Sequence, residues 1–194
     1  MTEREWVSLI AELLSAEPFG EYFEVKTGLN LCYAHEINSY GDVPDLRKQE
    51  FETDLTIVET VGPGQWKPRV VVEAKIGNSE GRMPMTHDAI IYSHKAASHK
   101  AVHPYLRYGI MLGHRKHNSL PGRLYRHGTQ FDFMISFAEF QPTTQELRTF
   151  RGILSDELQA SRTLESMLYD TRRRDRDHHT VLHRKLIVGA TEPV

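Results

Sequence analysis

The segment at residues 69–76, RVVVEAKI, constrains the fold more than any other part of the chain. Three consecutive valines favour a β-strand, and a strand that is apolar on both faces is typical of the interior of a sheet covered on both sides. Because side chains alternate between the two faces of a strand, Glu73 and Lys75 lie on the same face. Burying either charge alone is costly, so the pair requires an ionic partner, a metal ion or solvent at this spot.

The surrounding segments predict helices and further strands. Amphipathic spacing predicts a helix over Glu3–Leu14, and a stretch without Gly or Pro predicts another over Thr86–Val102, with Thr86 as its N-cap. Leucine spacing predicts one long helix, or two, over Thr144–Tyr169. This order predicts an α/β fold with a mixed central sheet flanked by helices. Strands are predicted at 23–37 (around a turn at 27–30), 51–60, 69–76, 108–112 and 131–137, with a loop at 113–130.

The chain has 194 residues, of which 39% are hydrophobic and 26% charged, and this composition is typical of one globular domain. We expect that domain to span residues 1–170, followed at 171–194 by a charged linker and a C-terminal strand or arm. No apolar run approaches the roughly 20 residues of a membrane-spanning helix, so no membrane partner is expected. The single cysteine, Cys32, and an acidic start without a secretory pattern favour a cytoplasmic location.

Charge is distributed unevenly along the chain. Residues 1–88 carry a net charge of −8, whereas residues 89–131 contain no acid, carry +7 and hold six of the eleven histidines. An acid-rich half beside an acid-free basic stretch suits a protein that collects divalent cations in one place and phosphate groups in another. A polyanion is therefore the expected partner.

A second carboxylate is expected beside Glu73. Asp54 begins the polar face of the strand predicted at 51–60, and a hairpin through residues 62–64 would bring it next to Glu73. Two carboxylates held close together are unfavourable unless a hard cation lies between them, and Mg²⁺ accepts one or two carboxylates with water and phosphate oxygens. The pattern indicates metal-assisted phosphodiester hydrolysis, in which Lys75 orients or deprotonates the attacking water and stabilises the developing negative charge.

These residues carry a resemblance to a known family. A helix, then Asp54 on a strand, a valine run ending in Glu73-Ala74-Lys75, and a second, lysine-bearing helix resemble the PD-(D/E)xK nuclease superfamily, which includes restriction endonucleases. The resemblance covers about residues 3–112. It implies a restriction-endonuclease-like αβββαβ core and a Mg²⁺-dependent nuclease that cleaves DNA, with Mn²⁺ able to substitute.

The resemblance also implies roles for individual residues. Asp54, Glu73 and the carbonyl of Ala74 would be metal ligands, and Lys75 would be the catalytic lysine. Many members add a glutamate from the first helix to the catalytic set. For that position Glu12 is our candidate and Glu5 the alternative.

Two further hypotheses stay open at this point. The literal Pro-Asp pair of the family name occurs at Pro44-Asp45, whereas Thr53 precedes Asp54, so Asp45 is the alternative ligand. Asp54 is preferred because it enters an alternating strand. A zinc-dependent hydrolase is a second hypothesis, because His99 and His103 are four residues apart on a predicted helix, with His94, His114 or His117 as further ligands.

The basic stretch supplies candidates for DNA contact, because its side chains bond to phosphates and base edges. They are Lys95, Lys100, Arg115, Lys116, Asn118, Arg123 and Arg126. We expect a type II restriction-like endonuclease that acts on double-stranded DNA. A DNA repair, recombination or defence nuclease of the same fold, or a non-catalytic nucleic-acid-binding module, is the alternative. Double-strand cutting with one site per chain implies a homodimer, built through Thr144–Tyr169 or the C-terminal strand.

Overall fold

A computed structural model describes residues 1–77, 85–113 and 121–169 of the chain. The described residues form one mixed sheet with helices on both faces. The helices are α1 (Glu3–Ser15), α2 (Met85–Val102), α3 (Pro121–His127) and α4 (Thr144–Tyr169), and the strands are β1 (Phe23–Ser39), β2 (Asp45–Gly62), β3 (Gln65–Ile76), β4 (Arg107–Gly113) and β5 (Phe133–Ser136).

The sheet has the order β1-β2-β3-β4-β5. Its first three strands form an antiparallel meander, whereas β4 runs parallel to β3 and β5 runs parallel to β4. The connection between β3 and β4 contains α2, as a parallel connection requires. The predicted mixed sheet, its flanking helices and the hairpin between the strands around Asp54 and Glu73 are thereby confirmed, and the valine strand lies at the centre of the sheet.

Alternation along β3 divides the core into two layers. One face packs against α1 and α4, and the other packs against α2 and α3. The first layer contains Trp6, Ile10, Val70, Val72, Ala74, Phe150 and Leu154, and the second contains Val71, Ala89, Ala96, Tyr108, Ile110 and Leu124. Since Val71 belongs to the second layer, the alternate residues Glu73 and Lys75 leave the strand on the α2 side.

Trp6 fixes the position of α1 against the sheet. Its indole is fully buried, donates a hydrogen bond from Nε1 to the carbonyl of Phe140 (2.9 Å) and packs against Gly113, which pairs with Ile76. The start of α1 is closed by a capping box between Thr2 and Glu5. These contacts hold the first turn of α1 near the end of β3, where Lys75 lies.

The turn predicted at 27–30 is wrong. The strand β1 is continuous because Gly28 adopts a φ of +63°, which glycine tolerates, and the chain therefore passes through this point without reversing. The pairs Thr27–Leu55 and Leu29–Thr53 flank this glycine on one strand and Asp54 on the other. The irregularity thus lies opposite one of the two predicted metal ligands.

The start of α2 and the predicted loop after β4 also differ from expectation. The helix α2 begins at Met85, so Thr86 lies inside its first turn and is not the N-cap. The predicted loop 113–130 contains α3, which has Pro121 at its first position, a site that proline favours. Residues 144–169 form one helix, and the segment 171–194 lies outside the described residues. Among the described residues, no helix is long and apolar enough to cross a membrane.

The contact between Trp6 and Gly113 predicts the effect of a small substitution. In Gly113→Ala the new Cβ would lie 2.6 Å from the indole, so the ring and α1 must shift. We expect a loss of about 1–3 kcal/mol in the free energy of unfolding, measured by urea denaturation. The control is Gly152→Ala on α4, which meets no atom within 4 Å and should gain up to about 1 kcal/mol. Equal stability of wild type and Gly113→Ala would contradict this account of how α1 is held.

Candidate active site

The strands β2 and β3 separate at the candidate site. Their pairing runs as far as Leu55 and Val72. One residue further, Asp54 Oδ2 accepts a hydrogen bond from the backbone N–H of Ala74 at 2.8 Å. The side chain of Asp54 therefore bonds to β3 at the point where the regular pairing with β2 ends, and its carboxylate lies beside the Glu73–Ala74 peptide. The sequence prediction that Asp54 and Glu73 meet across this hairpin agrees with this geometry.

Glu73 is the buried carboxylate of the site, with 1% of its surface exposed. Its Oε1 accepts a hydrogen bond from the hydroxyl of Tyr108 and lies 2.8 Å from Nζ of Lys95. Burial raises the pKa of Glu73 to about 7, because the Lys95 ammonium only partly offsets the desolvation and the charge of Asp54 adds to it. With this pKa, the carboxyl of Glu73 gains and loses its proton near neutral pH when no divalent cation is bound.

Lys75 is held as an ammonium ion. Its Nζ donates to both carboxylate oxygens of Glu3, at 2.9 and 3.2 Å, and lies 5.0 Å from the ring centroid of Tyr92. Burial alone would lower the pKa of Lys75, but hydrogen bonding to Tyr92 and Glu3 outweighs it and raises the pKa above its usual range. Of the two roles expected for this lysine, the geometry favours orienting and charge-stabilising over proton abstraction.

One face of α2 supplies the remaining side chains of the site. Tyr92, Lys95 and His99 recur at helical spacing and face the sheet. Lys95 also donates to the carbonyl of Glu52 at 2.7 Å, and the His99 ring stacks on Tyr108 with centroids 5.7 Å apart. The site is thus enclosed by β2, β3, β4 and α2, with Glu3 reaching it from α1.

The donor set suits a hard divalent cation. Asp54 and the adjacent Glu73 provide two carboxylates, and the carbonyl of Ala74 is a further oxygen donor in the same stretch of β3. The ammonium of Lys95, 2.8 Å from Oε1 of Glu73, shows that the space beside this carboxylate accommodates a cation. Such a set contains only two ligating side chains, and Mg²⁺ takes the rest of its shell from water and phosphate oxygens. In the described part of the chain, no three His, Cys, Asp or Glu side chains are grouped to hold a metal ion.

The structure brings Glu3 of α1 to Lys75, and not the predicted Glu12 or its alternative Glu5. Glu12 is exposed and lines a surface depression with Ser8 and Leu9, and Glu5 forms the capping box with Thr2. Glu3 is the residue of α1 that reaches the site. The prediction failed because a helix was recognised but its rotation against the sheet, which Trp6 fixes, was not.

Asp45 lies away from the site. It pairs with Ser39 at the far end of the β1–β2 hairpin, is exposed, and accepts a hydrogen bond from Asn38 at 3.3 Å. The structure therefore does not bring the alternative ligand, Asp45, to the site, and the preference for Asp54 agrees with its position.

The zinc hypothesis receives no support from the described residues. His99 is fully buried, with Nδ1 3.2 Å from the carbonyl of Cys32, and burial lowers its pKa to about 4. His103 is partly buried, and its pKa is also lowered by burial. His99 is thus a core histidine, and neither residue belongs to a group of three ligating side chains in the part of the chain that is described.

The predicted DNA-contact residues separate into four groups. Lys95 lies inside the candidate site, 2.8 Å from Glu73. Lys100 forms an ion pair with Asp132 at 2.7 Å, and its contact with DNA stays a prediction. Arg126 is exposed on α3. Arg115, Lys116, Asn118 and the side chain of Arg123 lie outside the described residues.

Sequence reasoning missed Glu3, Tyr92 and Tyr108. A signal existed for Tyr92, because it shares a helical face with Lys95 and with the buried Ala89 and Ala96. Tyr108 required knowledge of the parallel register, in which it pairs with Val71, two residues before Glu73. Only the packing of α1 could identify Glu3.

Comparison with known proteins does not assign the chain. A scan against protein-family models and a search of curated protein sequences both find no match. The assignment of function therefore depends on the site itself.

The buried Glu73 predicts an unusual pH dependence of stability without divalent cations. Its folded pKa of about 7 exceeds the ordinary value of 4.5, so its protonated form stabilises the fold below pH 4.5, and this contribution is lost as the pH rises through about 7. At about 1.4 kcal/mol for each pH unit between the two pKa values, the loss is about 3 kcal/mol relative to Glu73→Gln.

The measurement is chemical denaturation in chelator at several pH values between 4 and 8, for wild type and Glu73→Gln. Glu12→Gln, an exposed glutamate of α1, is the matched control and should follow wild type. A stability difference between wild type and Glu73→Gln that is constant with pH would contradict the burial of Glu73.

Proposed function

We propose that this chain is a Mg²⁺-dependent nuclease that hydrolyses phosphodiester bonds in DNA, of the restriction-endonuclease-like type. The observation that carries the proposal is the grouping of Asp54, Glu73 and Lys75 where β2 and β3 separate. Asp54 bonds to the backbone of Ala74 at 2.8 Å, between the other two residues. A protein that only binds nucleic acid has no need of two carboxylates and a lysine brought together in this way.

The order of elements supports the same proposal. From α1 to β4 the described chain has the succession αβββαβ, with three antiparallel strands followed by a helix and a parallel strand. This is the succession expected of the restriction-endonuclease-like core. Fold alone does not define activity, so the site carries the proposal and the order of elements adds support to it.

Each residue of the site has a distinct task in the proposed reaction. Asp54, Glu73 and the carbonyl of Ala74 would hold the metal. A bound Mg²⁺ supplies a Lewis acid for the phosphoryl oxygen and lowers the pKa of a coordinated water. Lys75, kept cationic by Glu3 and Tyr92, would donate hydrogen bonds to the attacking water or to the phosphoryl oxygens as negative charge develops.

Positioning residues complete the arrangement. The hydroxyl of Tyr108 holds one oxygen of Glu73, and Glu3 holds the ammonium of Lys75. Because the charged groups are fixed by neighbours that are themselves packed, little reorganisation is required when the substrate binds. Cutting of both strands by a protein with one such site per chain would require two copies, so a homodimer on double-stranded DNA is part of the proposal.

The test is cleavage of plasmid, linear duplex and single-stranded DNA by purified protein in Mg²⁺, in Mn²⁺ and in EDTA. Asp54→Asn, Glu73→Gln and Lys75→Ala should each lower the cleavage rate by about a hundredfold or more, as expected for loss of electrostatic or metal-based stabilisation. Asp45→Asn, at an exposed position of β2, and Lys26→Ala, which removes a partly exposed lysine of β1 paired with Glu24, remove the same charges away from the site and should cut at the wild-type rate.

Three outcomes decide the proposal. Metal-dependent cutting that disappears only in the site variants supports it, and the ends of the fragments identify the target. Binding of DNA with a steep dependence on salt but without cutting favours the binding-module alternative. Cutting that survives Lys75→Ala and Asp54→Asn contradicts the proposed site.

A further inference from the structure

Lys95 occupies an unusual position in the candidate site. Its ammonium lies 2.8 Å from Oε1 of Glu73 and 2.7 Å from the carbonyl oxygen of Glu52, and the rings of Phe51 and Tyr92 each lie 5.7 Å from it. Its side chain is 15% exposed. The ammonium therefore has two oxygen partners, the charged carboxylate of Glu73 and the neutral carbonyl of Glu52, and two aromatic rings lie near it. Glu73 is also the carboxylate proposed to bind the metal.

Two cations compete for this carboxylate. A divalent ion bound to Glu73 would lie close to the ammonium, and like charges a few ångströms apart in a partly desolvated site repel each other. When it is ionised, the buried carboxylate in turn needs a cation beside it, because an unpaired buried charge is costly. Lys95 and a divalent ion are thus alternative partners for the same group.

The surroundings of Lys95 permit the exchange. The carbonyl of Glu52 belongs to the backbone of β2 and stays available to the ammonium after Glu73 is released. The lysine stem has four flexible bonds, and part of the side chain already reaches solvent. Lys100, which lies on the same helix, is by contrast fixed by Asp132 and by the carbonyl of Gln130.

We propose that Lys95 is an internal counterion that neutralises Glu73 in the metal-free protein and is displaced when a divalent cation binds. This inference rests on the proposed function, because it takes Glu73 to be a metal ligand. It adds regulation of metal binding to the site.

The ammonium that the metal displaces needs a new anionic partner, and a phosphodiester of bound DNA supplies one. The divalent cation and DNA therefore bind cooperatively, and the cation binds weakly when DNA is absent.

The test measures Mn²⁺ binding to the full chain without DNA, by isothermal titration calorimetry. Lys95→Met keeps the apolar stem and removes the charge, and we expect it to bind Mn²⁺ at least about fivefold more tightly than wild type, since the repulsion is lost. Lys100→Met is the matched control, because it removes a paired lysine from the same helix, and should bind like wild type. Addition of Asp54→Asn to Lys95→Met should abolish the gain and locate it at this site.

Thermal unfolding checks that the variants fold, and Lys95→Gln, which retains hydrogen-bonding capacity, replaces Lys95→Met if that variant does not. Unchanged or weaker Mn²⁺ affinity on removal of the Lys95 charge, or no Mn²⁺ binding by either protein at millimolar concentrations, overturns the inference. The two proposals fail separately. If Lys95→Met binds Mn²⁺ more tightly but no form of the protein cleaves DNA, the counterion role of Lys95 stands and the nuclease proposal fails. If the protein cleaves DNA but Lys95→Met binds Mn²⁺ with unchanged affinity, the nuclease proposal stands and the counterion role fails.

Discussion

The buried carboxylate of Glu73 is the constraint on which the rest of the site depends. A carboxylate with almost no access to water is tolerated only with partners, and here they are the hydroxyl of Tyr108 and the ammonium of Lys95. Tyr108 comes from β4 and Lys95 from α2. The burial of one carboxylate on β3 therefore requires a hydrogen-bond donor on the neighbouring strand and a cation on the helix that covers this face. The position of Lys95 on the face of α2 that meets the sheet is explained by this requirement.

The two layers of the core divide the tasks of stability and chemistry. The layer under α1 and α4 is built from large apolar side chains such as Trp6, Phe150 and Leu154. The layer under α2 combines apolar packing with titratable groups, and His99 is stacked on Tyr108 within it. A buried apolar layer on one face of β3 thus supports a charged site on the other, as a preorganised site requires.

Sequence reasoning succeeded where the relevant information was local. The period of two in a strand placed Glu73 and Lys75 on one face, and the hairpin that follows Asp54 brought it to the same place. The strand through Gly28 was misread because glycine favours turns, whereas a single positive φ lets this strand continue. The short helix α3, which begins at Pro121, was likewise predicted as a loop because its segment is rich in Gly, Pro and basic residues.

Non-local information decided the rest of the site. The choice between Glu12 and Glu3 depends on how α1 is rotated, and the contact of Trp6 with Gly113 sets that rotation. Lys95 and Lys100 look equivalent in sequence, yet one faces Glu73 and the other Asp132. Such differences arise from packing between distant segments, which neither periodicity nor composition records.

The most direct test of the account is to locate the cation itself. Crystals of the protein grown with Mn²⁺ and a short DNA duplex, measured at a wavelength where manganese scatters anomalously, show the ion's position without reference to activity. The account predicts an anomalous peak between the carboxylates of Asp54 and Glu73, beside the carbonyl of Ala74. A peak at His99 or His103, or bound DNA with no manganese between the two carboxylates, would contradict it.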